Sequence, residues 1–192
     1  MQRYLSPSTY IDFEHADVLS AARRLAAGTP SESSLVKRCF EFVRDEILHS
    51  SDFKLDPVTC KASEVLRHKT GFCYAKSHLL AALLRANGIP AGLCYQRLSA
   101  GDGGAPYCLH GLNAVYLREF GWYRLDARGN KPGVDARFIP PKEALAFSIK
   151  EPQERDLPEI WAEPLQVVVD VLERHERHDQ VLADLPDIEL VA

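Results

Sequence analysis

The sequence is short of the features that mark several functional classes. No run of about 18 apolar residues occurs, so no membrane-spanning helix is expected. The first 17 residues, MQRYLSPSTYIDFEHAD, contain no basic stretch followed by an apolar one, and so do not read as a secretory leader. Positive charge is in deficit, with 23 Lys and Arg against 27 Asp and Glu and a net charge of −4. A nucleic-acid partner would call for a basic face. Cysteine is sparse and odd in number: Cys39, Cys60, Cys73, Cys94 and Cys108 share no repeating spacing, which excludes a disulfide framework. Cys94 and Cys108 fall on neighbouring expected strands and could bond if oxidised, but packing is the simpler role. Zinc pairs of the Cys-x₂₋₄-Cys kind are absent, and Cys94 with Cys108-x-His110 does not have a zinc spacing. No Asp-x-Asp-x-Asp-Gly calcium loop, low-complexity tract or internal repeat is present. The expectation is a cytoplasmic protein with reduced thiols, without metal or cofactor, and with no nucleic-acid or membrane partner.

What is present suits a globular protein: 192 residues, 46% apolar and 26% charged. Tyr10 to Phe13 reads as a short strand and residues 15–27 as a helix ending at Gly28. Thr29-Pro30-Ser31-Glu32 reads as a helix start, with Thr29 capping, for a helix reaching about His49. Its apolar positions, from Leu35 through Phe40 to Ile47, recur at three and four. A loop over residues 50–60 and a short helix over 61–68 lead to the turn Lys69-Thr70-Gly71-Phe72 and then to CYAKSHLLAALLRANG. That segment is apolar nearly all round, as a buried helix is. Gly88 suits a left-handed cap, and Pro90 stops the helix. Strands follow over 92–98, 110–117 and 122–126, with a glycine-rich loop at 99–106. Helices first and antiparallel strands second argue an α+β fold, a buried central helix packed on an antiparallel sheet. Residues 1–150 form the expected main domain, and residues 151–192 an extension with one helix, 164–176, packed on it.

Three residues stand where chemistry could be done. Cys73 lies at a turn-to-helix junction, where unpaired N–H groups and the helix dipole favour thiolate and could serve an oxyanion. His110 opens a strand, and Asp126 ends the next. An aspartate after Trp-Tyr-Arg-Leu is costly to bury unless paired, and a histidine partner would meet that need. Taken singly, an inert buried cysteine, a structural histidine and a turn-capping aspartate are each ordinary. Their joint arrangement is less so. It requires a register that sets Leu112 opposite Asp126, with His110 on the diagonal of the same face; a slip of one residue would separate the pair.

GFCYAKSHLLAALLRANGIPA resembles the active-site helix of transglutaminase-like proteins, in which a Gly-x-Cys turn leads into an apolar helix ending Gly-Ile-Pro-Ala. HGLNAVYL and GWYRLDARGN resemble that family's histidine and aspartate strands, so the likeness spans about residues 35–130. The sequence departs from the family in having Gly111-Leu112-Asn113 after the histidine, where Ala-Trp is often found. The resemblance implies a papain-like core with Cys73 as nucleophile, His110 as general base and acid, and Asp126 as orienter. It implies acyl transfer on amide bonds through a thioester, with a peptide, a protein or a small amide as substrate. Hydrolysis is favoured, as a cysteine peptidase or amidase, because nothing marks a second amine site. Transglutaminase or N-acyltransferase chemistry, and a non-catalytic interaction module, are the alternatives. The expected oxyanion donors are the Cys73 N–H and a group at or before Lys69-Thr70. His78, five residues past Cys73 and about 140° round the helix, reads as structural. Residues 173–178 read as a solvated helix end, and Arg97, Arg124 and Arg128 as surface arginines that could border a cleft.

Overall fold

One helix is enclosed on nearly every side, and the rest of the chain is arranged around it. The computed structural model describes residues 1–101 and 103–188. In chain order the helices are α1 (Ala16–Ala26), α2 (Glu32–Glu41), α3 (Ser50–Phe53), α4 (Ala62–His68), α5 (Cys73–Ala86), α6 (Gln166–Arg174) and α7 (His178–Ala183). The strands are β1 (Leu48–His49), β2 (Thr70–Gly71), β3 (Ala91–Ser99), β4 (Tyr107–Leu117), β5 (Gly121–Leu125), β6 (Arg137–Ile139), β7 (Lys142–Ala144) and β8 (Arg155–Asp156). The main sheet is antiparallel in the order β5-β4-β3-β8, and β1 pairs with β2 in parallel.

Every residue of α5 from Cys73 to Arg85 is buried. Leu79, Leu80, Leu83 and Leu84 have no exposed surface, and each contributes roughly 1.5–3 kcal/mol by leaving water. Most polar groups of this helix are satisfied internally, as burial demands, His78 Nε2 being the exception. Ser77 donates to the Cys73 carbonyl, Lys76 to that of Ile47, and Arg85 to Ala91, Ser6 and Ala162. Gly88, at φ +72°, ends the helix in the left-handed conformation.

Several local expectations are corrected. Residues 10–13 form no strand; Ile11 is buried from an irregular segment. The cap of α2 is Ser31, whose hydroxyl accepts from the Ser34 N–H, and not Thr29. The helix ends at Glu41 and loosens into a π-turn over Phe42–Glu46, so His49 falls in a strand instead of a helix. Among the described residues two helices, not one, follow residue 160. Val168, Val171, Leu172 and Val181 of those helices join the same apolar core as α5. Cys94 lies opposite Leu112 and Cys108 opposite Leu98, so the ladder keeps these two thiols four residues apart, and both are free.

Candidate active site

Cys73 occupies the first position of α5, after Phe72, which caps it without a side-chain bond. The opening N–H groups of a helix have no partner within it, so they face outward from this mouth. The preceding turn approaches closely because Gly71 has no side chain: a Cβ there would sit 3.2 Å from Thr59 Oγ1 and 3.3 Å from the Ala75 Cβ. Ser77, whose hydroxyl donates to the Cys73 carbonyl, is tied to the sheet through Asn113, whose Nδ2 donates to the carbonyls of Ser77 (2.9 Å) and Gly92 (3.2 Å).

The ladder between β4 and β5 pairs Asn113 with Leu125. Its next step sets Leu112 beside Asp126, the register expected from the sequence. His110 then reaches Asp126 on the diagonal, with Nε2–H donating to Oδ2 at 2.7 Å. Asp126 has no exposed surface, and also accepts from the N–H groups of Ala146 and Arg128, each at 3.1 Å. Burial alone would raise its pKa, but the His110 charge and these hydrogen bonds outweigh burial and hold it below the ordinary carboxylate value. For His110, burial favours the neutral ring, but the Asp126 carboxylate and then Cys73 outweigh it and raise the pKa to about 10. With Nε2 committed to Asp126, Nδ1 is the ring nitrogen left for another partner, and the Cys73 thiol lies near enough to the ring to raise its proton affinity. On the far side of the sulfur, the Gly111 N–H donates to Sγ at 3.4 Å.

Of the three expected residues, His110 and Asp126 are hydrogen-bonded, and Cys73 is held beside them by the N–H of Gly111, the residue after His110. Cys73 and His110 border a cavity of about 550 Å³ whose walls include His49, Leu98, Arg128, Phe147 and Leu185, while Asp126 lies buried behind His110. Phe147 meets the His110 ring edge-to-face at 4.9 Å and shields the His110–Asp126 bond from water. Burial pushes the thiols of Cys39, Cys94 and Cys108 up to about 12, and that of Cys60 higher still. His78 is buried with Nδ1–H donating to the Cys60 carbonyl at 2.7 Å, and burial lowers its pKa to about 4, which is a structural role. His175 pairs with Asp184 at 2.8 Å and His178 with Asp56 at 3.0 Å, in the stretch read as a solvated helix end.

His49 was not singled out by its sequence position. β1 places it beside Gly71, against the Phe72 ring, with Nδ1 buried and unpartnered. Burial, and then the Arg128 charge, keep it neutral. The expected group at Lys69-Thr70 is otherwise engaged: the Thr70 hydroxyl bonds to the Leu48 carbonyl and Ser50, and the Lys69 ammonium lies over Phe42. Arg128 is not a free surface arginine. It is buried at the cavity wall in a two-pronged pair with Asp52 (2.6 and 2.9 Å). Arg124 pairs outside the cavity with Glu143 and Asp156. Among the described residues no cluster of three or more metal-ligating side chains is formed.

A cysteine at the mouth of a buried helix, facing a histidine on an antiparallel sheet, is the architecture of papain-like folds. Within that class the chain belongs to the transglutaminase-like superfamily, whose family model matches residues 20–127. No curated protein sequence matches the chain. Two solved structures share the fold. One is a candidate cysteine protease from Cytophaga hutchinsonii, with TM-score 0.54 and 21% identity, covering 65% of this chain and 40% of that one. The other is the periplasmic domain of TgpA from Pseudomonas aeruginosa, with TM-score 0.51 and 20% identity, covering 66% of this chain and 46% of that one. The match thus spans less than half the length of either, and at such identity the likeness is one of fold. No helix among the described residues is long and apolar enough to cross a membrane.

Proposed function

We propose that the protein is an acyl-transfer enzyme that hydrolyses amide bonds through a Cys73 thioester, with His110 as base and acid and Asp126 as its orienter. The observation that carries this reading is the 2.7 Å bond from His110 Nε2 to the buried Asp126, which fixes the ring and leaves Nδ1 free to serve the sulfur. His110 takes the thiol proton at Nδ1, and its raised proton affinity holds the resulting imidazolium beside Asp126. The sulfur adds to the amide carbonyl, and the oxyanion is met by the unpaired Cys73 N–H at the helix mouth. The C–N bond breaks as His110 returns its proton to the leaving amine. Water, deprotonated by His110, then attacks the thioester, releasing the acid and restoring the thiol. A reducing cytoplasm, expected from five unpaired cysteines, suits a thiol nucleophile.

The test is residue-resolved alkylation together with turnover of amide substrates. Cys73 is expected to react with iodoacetamide at neutral pH well ahead of the other four cysteines, and to slow in His110→Ala. Cys73→Ser is expected to abolish hydrolysis. Equal, slow labelling of all five thiols would sink the reading and leave an interaction module.

A further inference from the structure

The segment after α7 lies against the cleft. Strand β5 pairs with β4 only over Asn113–Leu117, so the stretch of β4 that carries His110 has an edge β5 does not cover. On that edge the Leu109 carbonyl accepts from the Tyr74 hydroxyl, and the Leu109 N–H donates to the Pro186 carbonyl at 2.7 Å. The Gly111 N–H, two residues along the same edge, is the one that reaches the Cys73 sulfur. The position taken by Pro186 and the sulfur are therefore about one two-residue strand repeat apart, roughly 7 Å.

The next side chain of the segment is held as firmly as its backbone. Asp187 is gripped by both prongs of Arg97, Nε at 2.7 Å and Nη2 at 2.6 Å. Arg97 is aimed by stacking on the Tyr107 ring, 4.3 Å from its centroid. Leu185, on the other side of the proline, lines the cavity with Cys73 and His110. A main-chain bond to a sheet edge, an apolar side chain in a pocket and a carboxylate in a guanidinium fork are the three elements of extended-peptide recognition.

We propose that the Leu109 N–H and Arg97 form a substrate subsite for an extended peptide bearing an acidic side chain, and that Leu185–Asp187 is its resident occupant. This rests on the reading of Cys73 as a nucleophile toward peptides. It makes Arg97 the specificity-determining residue: the residue whose carbonyl meets Leu109 is followed by Asp or Glu. Such a substrate must displace the chain's own segment.

Alkylation of Cys73 by iodoacetamide tests this without turnover. Asp187→Asn is expected to speed Cys73 labelling by about tenfold, as the segment loses its hold. Millimolar acetyl-Asp-Leu-Pro-Asp-Ile-amide is expected to slow the variant again, and its counterpart with Asn after proline is not. In Arg97→Gln labelling is fast and the two peptides are equivalent. Cys39, fully buried, is the fold control. Should Asp187→Asn label it, Asp187→Glu, which keeps the charge but displaces the carboxylate, takes its place. Unchanged Cys73 labelling in both Asp187 variants, or equal protection by both peptides, overturns the subsite and leaves the hydrolase reading standing if the original chain turns over amides. Peptide discrimination with no hydrolysis in any variant overturns the hydrolase reading alone.

Discussion

At the scale of single residues, the candidate site is governed by a buried carboxylate that raises the proton affinity of a buried imidazole. Asp126→Asn keeps the shape but can leave His110 in the wrong tautomer. The expected result is a fall of about 10²-fold or more in kcat, with KM little changed, and an alkaline limit that moves down from about 10. The same groups tie stability to pH. His110 binds its proton more tightly in the folded state, so its stabilisation is complete below its ordinary value of 6.5 and is lost as pH rises toward about 10. Asp126 is shifted down, so its contribution is present above its ordinary value of 3.8 and is lost as pH falls through the folded value. Urea midpoints across pH are therefore expected to peak in the acid-to-neutral range, and to lose their alkaline decline in His110→Phe if that variant folds. A midpoint that stays flat from 6.5 to 10 in the original chain would contradict the pairing.

At the scale of elements, the decisive contact is between the start of α5 and the edge of β4. Gly111, where the family often has alanine, is explained by it: a Cβ at that position would lie 3.0 Å from both Cα and Cδ1 of Tyr74. Gly111→Ala is expected to push helix and strand apart, cost about 1–3 kcal/mol in urea denaturation and slow Cys73 alkylation, since the Gly111 bond to Sγ is displaced. Leu80→Ala, deep in α5, is expected to cost about 2–5 kcal/mol, because the enclosed helix cannot close the cavity left behind. Labelling of Cys73 at the original rate in Gly111→Ala would show that this close approach does not position the sulfur. Helix α5 and the strands β3 to β5 were legible in the sequence because their signals are local: an unbroken apolar helix closed by Gly88, and alternation punctuated by turns. The two-residue strands β1 and β2 were not. Neither has a pattern of its own, and their pairing is made between residues 48–49 and 70–71.

At the scale of the whole molecule, the last helices share the core of the first. Leu172 and Val181 pack into the cluster that holds α5. Leu172→Ala is accordingly expected to lower a single unfolding transition by about 2–5 kcal/mol, with helix signal and Cys39 exposure moving together. Two separate transitions would show that the C-terminal helices unfold on their own. The sequence by itself determined the fold class and pointed to three candidate residues, because a helix mouth and a pair of strands are set by neighbouring residues; it misjudged the strand ends, since β4 already begins at Tyr107, so His110 lies inside it, and Asp126 falls just beyond β5. It also limited the β4–β5 register to one parity, since a slip would have exposed one face. Only the tertiary structure decided which groups wall the cavity. His49, Phe147 and Leu185 reach Cys73 from remote parts of the chain, and Arg128 is turned inward by Asp52, a residue 76 positions away. Proximities of that kind arise from packing, which minimises exposed apolar surface and unpaired charge over the entire chain, and no short stretch of sequence encodes them.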